Sequence, residues 1–425
     1  MADRDLPPTT VASALSPTAR DNRILQARTA RARQIEATHA WDGDNYRLEF
    51  ELTRGCDHAC AHCYNVWGAD AEEPQAQYAT SRQRDDACEN PASQTLRPDA
   101  HLALIEETIR ARRPHTVVLT GGEPMLHPRG VEIVSRVAAQ VPSVGLITNG
   151  SHGTDALVET LATAGNVWVQ LTLLAPDPDT HDRLKGAVSF DDTVRALVRL
   201  ADAGVATQVC FVSMQGNEGL FPQVMELALA LGARHVNYNR VAPTGVAVRS
   251  VAGLLPQIDA VREDLRFAET HGPGWGISVT TAIPIPPCVR GDLQLEWVQM
   301  GGCPVGTHVQ STTIDPSGNV RSCPLSSHVL GNLQCDTWED IEDDPYPRAF
   351  RQLLPELCRT CEHAPTCHGG CKESAFATSG THLQLDPFVA AALGHEVREP
   401  GGALIPLARL RQRGPRTSAT ATSST

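Results

Sequence analysis

Residues 47–63 read RLEFELTRGCDHACAHC. Positions 47–53 read as a short β-strand. Cys56, Cys60 and Cys63 follow it with the spacing C-x3-C-x2-C. A thiolate is a soft ligand that suits zinc or an iron–sulfur cluster. Two or three residues between ligands let one loop wrap one metal centre. Reactive groups in a parallel α/β fold gather at the carboxyl ends of its strands. A thiol loop directly after a strand is therefore placed for chemistry.

That strand opens a series. Residues 116–120 (TVVLT), 144–148 (VGLIT), 167–172 (VWVQLT), 207–213 (TQVCFVS) and 236–241 (VNYNRV) are short and rich in β-branched residues. Helical patterns lie between them. Asp99 is expected to cap a helix with the stripe Leu102, Ile105 and Ile109. Val194, Leu197, Val198 and Ala201 form a second stripe, and Val224, Leu227, Ala228 and Leu231 a third. Gly165, Gly204 and Gly232 stand where helix C-cap glycines belong. The alternation predicts an α/β fold with a parallel sheet, either curled into a barrel or open. Polar or glycine-rich segments follow the strands: Thr120–Pro124 (TGGEP), Thr148-Asn149-Gly150, the stretch after Thr172, Asn217, and Pro243-Thr244-Gly245.

The chain has 425 residues, of which 41% are apolar, enough for a sizeable core spread over about two or three domains. A formal charge of −13 argues against nucleic acid as the main partner. The apolar runs fall short of the ~20 residues a membrane span needs. Residues 1–17 lack the order of a secretory signal, so a cytoplasmic location is expected. In such a chain, 13 cysteines point to metal or redox chemistry rather than a disulfide framework. The expected division is an N-terminal arm (1–45), an α/β unit (46–245), an irregular bridging region (246–300), a Cys-rich domain (301–389) and a disordered Gly/Arg/Ser/Thr-rich tail (390–425). The polar stretch 69–97 reads as a surface insertion or a lid.

The second cysteine set begins with the loosely spaced Cys288, Cys303, Cys323 and Cys335. It ends with Cys358, Cys361, Cys367 and Cys371, spaced C-x2-C-x5-C-x3-C. Two separated groups imply at least two centres, with structural zinc as the alternative occupant of each. Cys210, inside a predicted strand, reads as a core thiol, and Cys88 as a passive one.

The loop Cys56-DHA-Cys60-A-His62-Cys63 resembles the signature of the radical S-adenosylmethionine (SAM) superfamily, C-x3-C-x-aromatic-C, at the end of the first strand. The match of Gly121-Gly122-Glu123-Pro124 to that family's GGE motif strengthens the resemblance. It implies a partial (β/α)6 barrel with a C-terminal Cys-rich auxiliary-cluster domain. It also implies a [4Fe–4S] cluster whose open iron binds SAM, and a 5′-deoxyadenosyl radical that abstracts a substrate hydrogen. On this resemblance Cys56, Cys60 and Cys63 are cluster ligands. His62 lies near the adenine, and Gly121, Gly122, Glu123 and Pro124 form the amino-group pocket. Thr148, Asn149 and Thr172 border SAM, and Arg183 reaches its carboxylate. The fourth-strand segment QLTLLAPDPDTHDRLKG (170–186) departs from the family pattern, with Leu174 and Ala175 replacing an aspartate and a glycine.

Residues 303–371 resemble the SPASM extension, which carries up to two auxiliary [4Fe–4S] clusters. The supporting segments are Gly302-Cys303-Pro304, Ile314-Asp315-Pro316-Ser317-Gly318, Gly331-Asn332-Leu333 and Gly369-Gly370-Cys371. Position by position, the resemblance gives Cys303, Cys323 and Cys371 to the first auxiliary cluster, with Cys288 as its candidate fourth ligand. It gives Cys358, Cys361 and Cys367 to the second. The family's last cysteine is missing after Cys371. The second cluster is left with an open iron, or with His382, Asp386 or Cys335.

The resemblance implies a peptide or small-molecule substrate and an external donor of flavodoxin or ferredoxin type. The leading expectation is a peptide-modifying maturase that forms a crosslink or oxidises a side chain. The N-terminus is too short for a leader-recognition domain, so recognition falls to a separate protein or to direct binding. The alternatives are a dehydrogenase or side-chain-modifying enzyme acting on a sugar alcohol or tetrapyrrole, and an iron–sulfur electron carrier. The sequence offers no general base, and the catalytic residue stays unknown. Tyr64, Trp67, Tyr238 and Arg240 lie near predicted strand ends, where they would touch substrate or pack.

Overall fold

The computed structural model describes residues 26, 28–34, 46–66, 79–80, 95–395, 397–398 and 404–405. Most of the expected arm and tail, Trp67, Cys88 and most of the 69–97 insertion lie outside the described residues.

Six parallel strands follow one another in chain and sheet order: β1 (Arg47–Glu51), β2 (Thr116–Thr120), β3 (Ser143–Thr148), β4 (Val167–Thr172), β5 (Ala206–Ser213) and β6 (His235–Arg240). The register is direct, with Arg47 opposite Thr116 and Glu51 opposite Thr120. On β1, Leu48 and Phe50 are fully buried in the hydrophobic core. Glu49 and Glu51 alternate with them on the other face, as the two-residue period requires. The covering helices are α1 (Pro98–Arg112), α2 (Gly130–Ala138), α3 (Asp155–Ala164), α4 (Pro178–Lys185), α5 (Phe190–Asp202) and α6 (Phe221–Ala230). Gly165, Gly204 and Gly232 all take positive φ just past their helices.

Three local expectations shift. Asp99 does not cap α1. Pro98, whose fixed φ suits the first helical position, starts the helix earlier, and Asp99 pairs with Arg129 instead. In α5 the buried face is Thr193, Ala196, Leu197 and Leu200, while Val198 is 40% exposed. The region 246–300 is also not irregular. It holds α7 (Ile258–Trp275), which buries Ile258, Val261, Leu265 and Ala268 at helical spacing. The Gly272-Pro273-Gly274 run hides that helix from a reading by composition.

After α7, β7 (Ser278–Thr281) and β8 (Gln299–Met300) extend the sheet parallel to β6. At the other edge, β9 (Ser311–Ile314) pairs parallel to β1 and leads into the antiparallel β10 (Asn319–Arg321) and β11 (Gly331–Asn332). The sheet thus has eleven strands, with β11 and β8 at its ends, and the auxiliary region is built onto its first edge. Two described pieces of the polar insertion run along that region. Ala79–Thr80 pairs with His328–Val329, and Leu96 N donates to Pro316 O at 2.9 Å. No described helix is long and apolar enough to cross a membrane.

Candidate functional site

The carboxyl ends of β1–β4 open into a cleft of about 960 Å³, open solvent included. Cys56, Cys60, Cys63, His62, Gly121, Gly122, Thr148, Asn149 and Thr172 all line it. Arg54, His58, Tyr64, Asn65 and Lys185 join them.

The floor is two loops knitted by backbone. Gly122 N donates to Thr53 O at 2.7 Å, and Glu123 N to Gly55 O at 2.8 Å. Asn65 Nδ2 reaches Gly121 O at 2.9 Å. A Cβ on Gly122 would stand 2.1 Å from Gly55 O, and one on Gly121 (φ +138°) 2.5 Å from Thr53 O. The glycines therefore admit the cysteine loop's own backbone, an approach that no side chain permits.

Glu123 lies behind the cleft wall and is 1% exposed. Its carboxylate accepts from Thr148 Oγ1 (2.7 Å), Asn149 N (2.7 Å) and Met125 N (3.0 Å). Burial raises its pKa, and these donors oppose the rise. It ties the end of β2 to the loop after β3. Pro124, buried, opens the short turn Pro124–Leu126 behind it. Asn149 spans onward, its Nδ2 donating to Asp57 Oδ1 at 2.7 Å inside the cysteine loop.

The thiols of the loop repel one another once ionised. Burial first, and then Cys60 and Cys56, push Cys63 up to about 11; Cys56 is also raised, by burial and Cys60. A cationic centre relieves both effects, so this donor set fits an iron–sulfur cluster. Among the described residues, no three Cys, His, Asp or Glu side chains converge closely enough to grip a single ion. A four-iron cube holds its thiolates farther apart than one ion does, so that spacing is no obstacle to it. His62 sits beside the thiols with a buried, unpartnered Nδ1. Burial, then Lys185, lowers its pKa to about 3, so the ring is neutral.

Of two neighbouring cations, the one that lines the cleft is not the one expected. Arg183 is exposed and donates to Gly216 O at 3.2 Å, away from the cleft. Lys185, two positions on, lines the cleft, is 3% exposed, and has no hydrogen bond or ion pair among the described residues. The HDRLKG segment carries both residues at the end of α4. Only the helix phase separates them.

The substrate candidates divide. Tyr238 is core, donating to Asp264 at 2.9 Å, and Arg240 is locked in a buried ion pair with Asp386. Tyr64 stays at the site. It lines the cleft and packs against the buried cluster of Ala242, Leu325 and Cys371, which Ile283 and Cys323 also border. It therefore stands between the first cysteine loop and the cluster that holds Cys371.

Buried ion pairs and hydrogen bonds fasten the auxiliary region. Asp315 caps the turn 315–319 through Ser317 N, Asn319 N and Asn319 Nδ2, and it faces Arg54 of the cysteine loop at 3.4 Å. Arg321 pairs with Glu51 of β1 at 2.5 Å. Asp386, besides Arg240, accepts from Cys371 N at 2.8 Å. Cys303, Cys323 and Cys371 share one electrostatic neighbourhood with Glu373. Cys288 sits on the short helix Pro287–Arg290, where burial first and then Cys367, Cys358 and Cys361 push its thiol up to about 11. Cys335 is disulfide-bonded. Cys210 is buried in β5.

Comparison with known proteins gives a consistent picture. The radical SAM superfamily model matches residues 50–227, and the iron–sulfur cluster-binding SPASM model matches residues 303–362. PqqA peptide cyclase of Gluconobacter oxydans is 26% identical over 362 residues, which cover 81% of this chain and 90% of that protein. Mycofactocin maturase MftC of Mycobacterium tuberculosis is 27% identical over 369 residues, covering 82% and 83%. The structure of Streptococcus suis SuiB bound to precursor peptide SuiA superposes with a TM-score of 0.62 at 14% identity. The match spans 85% of this chain and 79% of that one. Native anSMEcpe with bound AdoMet gives 0.56 at 12% identity, over 82% and 95%. At these identities the solved structures speak for the fold.

Proposed function

Because this chain belongs to the radical SAM superfamily and carries a SPASM iron–sulfur domain, we propose that it removes a hydrogen from a peptide or protein side chain, leading to a crosslink or an oxidation. A cluster and SAM held here would supply a 5′-deoxyadenosyl radical; this chain's residues bind, orient and shield. Cys56, Cys60 and Cys63 would hold the cluster in the cleft. Lys185, a buried cation lining the cleft, would take the SAM carboxylate. His62, neutral and beside the thiols, would border the adenine. Glu123 acts at one remove, holding Thr148 and Asn149 in place.

One observation carries the chemistry: the three-thiol loop is locked by backbone to the GGE loop at the mouth of a cleft. The peptide substrate rests on the likeness to a peptide cyclase and a maturase over more than four-fifths of the chain. A flavodoxin- or ferredoxin-type donor, a separate peptide-recognition protein and a cytoplasmic location complete the reading.

The test is anaerobic reconstitution with SAM and a reductant. The wild-type protein is expected to release 5′-deoxyadenosine. The Cys56→Ala/Cys60→Ala/Cys63→Ala variant is expected to release none while keeping auxiliary iron. Cleavage of SAM by the triple variant would refute the loop assignment. Short peptides encoded beside the gene, screened by mass spectrometry for loss of hydrogen, test the substrate.

A further inference from the structure

The strands that open into the cleft also share a buried face beneath it. Thr120 and Thr172 line the cleft. The register sets Glu51 beside Thr120, and Cys210 beside both Thr172 and Asn237. Side chains alternate along a strand, so Glu49 lies on that same face, two residues and about 7 Å below Glu51. Gln170, two residues below Thr172, belongs there too, with Gln208 beside it.

This face is short of donors. Gln170 Oε1 accepts from Gln208 Nε2 at 2.8 Å and from Asn237 Nδ2 at 3.2 Å. Asn237 Oδ1 is left buried and, among the described residues, without a partner. Glu49 is 4% exposed, and its Oε1 is likewise buried and unpartnered among the described residues. So is the hydroxyl of Thr313, the register partner of Glu49 on β9. The neighbouring cations do not fill the gap. Arg321 goes to Glu51, and Arg54 to Asp315. Arg47 Nη2 stands 3.8 Å from the other oxygen, Oε2, and that arginine side chain is 42% exposed. A buried carboxyl oxygen without a donor is costly, and native folds leave few such groups. What this one lacks is an N–H donor that carries positive charge.

Resting on the reading that the substrate is a peptide side chain, we propose that Glu49 determines specificity: its Oε1 receives the ammonium or guanidinium of a lysine or arginine in the substrate. Asn237 Oδ1 is a further acceptor on the same face. The basic side chain comes down from the cleft past the level of Thr120 and Glu51, a depth that a lysine or arginine can span. Its charge replaces the counter-ion that the fold does not supply. A peptide with only neutral or acidic side chains at this point leaves the carboxyl unpaired and binds poorly.

The test is calorimetric titration of the full-length, reconstituted, SAM-loaded protein with three blocked amino acids. These are acetyl-lysine methylamide, acetyl-arginine methylamide and, as the uncharged comparison, acetyl-norleucine methylamide. At least one basic probe is expected to bind about tenfold tighter than the norleucine probe, and Glu49→Gln to abolish that preference. Equal binding of all three probes to the wild type overturns the proposal. So does a preference that survives in Glu49→Gln, since a chain with a net charge of −13 attracts cations without this residue. If Glu49→Gln fails to load iron, wild-type crystals soaked with the tighter basic probe decide. A terminal nitrogen about 3 Å from Glu49 Oε1 supports the proposal. A probe seated elsewhere, or a water alone at that oxygen, overturns it. Failure of the loaded wild type to cleave SAM sinks the radical reading instead, and the probe preference is measured regardless.

Discussion

The first cysteine loop takes its thiols from one short run of chain, Cys56 to Cys63, whereas the auxiliary thiols arrive from separate segments between Cys288 and Cys371. The loop is held by backbone-to-backbone hydrogen bonds across two glycines. The auxiliary set is held by acid–base side-chain pairs buried between elements distant in sequence: Arg240 with Asp386, Arg54 with Asp315, and Arg321 with Glu51, whose carboxyl burial pushes up to about 8 against the pull of Arg321. Local ligands need only a tight turn. Remote ligands need their segments fixed in space, and in this protein buried acid–base pairs set position as well as energy.

The sharpest way to break this contrast is Arg240→Met. It leaves Asp386 buried and uncompensated, which should cost about 3–5 kcal/mol. Auxiliary iron should fall while SAM-binding iron persists, read by denaturant midpoint and by iron content in each cluster background. Equal loss from both centres would show that the two regions are not held independently.

Acid offers a test on the barrel side. His101 is fully buried on α1, with both ring nitrogens unpartnered, and meets the His127 ring edge-on at 5.4 Å. Burial, then His127, lowers its pKa from 6.5 to about 4. Protonation is thus penalised in the folded state. Its contribution is whole above about pH 6.5 and is lost as pH falls toward 4, to the order of 3 kcal/mol. Guanidinium midpoints at pH 7 and pH 4.5, compared between wild type and His101→Phe, measure it. An equal acid sensitivity in the variant would dismiss the histidine.

Gly122→Ala aims at the backbone lock. Its Cβ would collide with Gly55 O, and a displaced loop should slow SAM cleavage roughly 100-fold. Auxiliary iron should not change. A variant with normal cleavage would show that the two loops can separate harmlessly.

The smallest effect sharpens the choice of cation. Lys185→Met should weaken SAM binding roughly 10-fold, with recovery in Lys185→Arg. Arg183→Ala, at the surface, should stay within about twofold. Calorimetric titration of SAM decides, and the reverse ranking would return the role to Arg183.

Much of the barrel was legible because its signals are local. All six strands fall within a residue or two of their expected positions, and Leu102, Ile105 and Ile109 are buried on α1 as their spacing requires. The misses come from competition. Pro98 displaced Asp99 as the start of α1, and the Gly-Pro-Gly run masked the end of α7. Lys185 was overlooked because HDRLKG offers two cations, and only the turn of α4 decides which one points inward.

The sequence alone determined the thiol groups available, the spacing of the first loop and the order of strands that puts it at the carboxyl edge of the sheet. Spacing along the chain is itself the geometry when ligands sit within one turn of each other. How the remote thiols are brought near one another was decided by tertiary structure, since the short helix Pro287–Arg290 that carries Cys288 packs against the helix Pro387–Leu393, whose N-cap Asp386 accepts from Cys371 N. The same holds for Glu123 as a brace and Arg240 as a buried clamp, because burial and partner choice arise only when distant segments exclude water together.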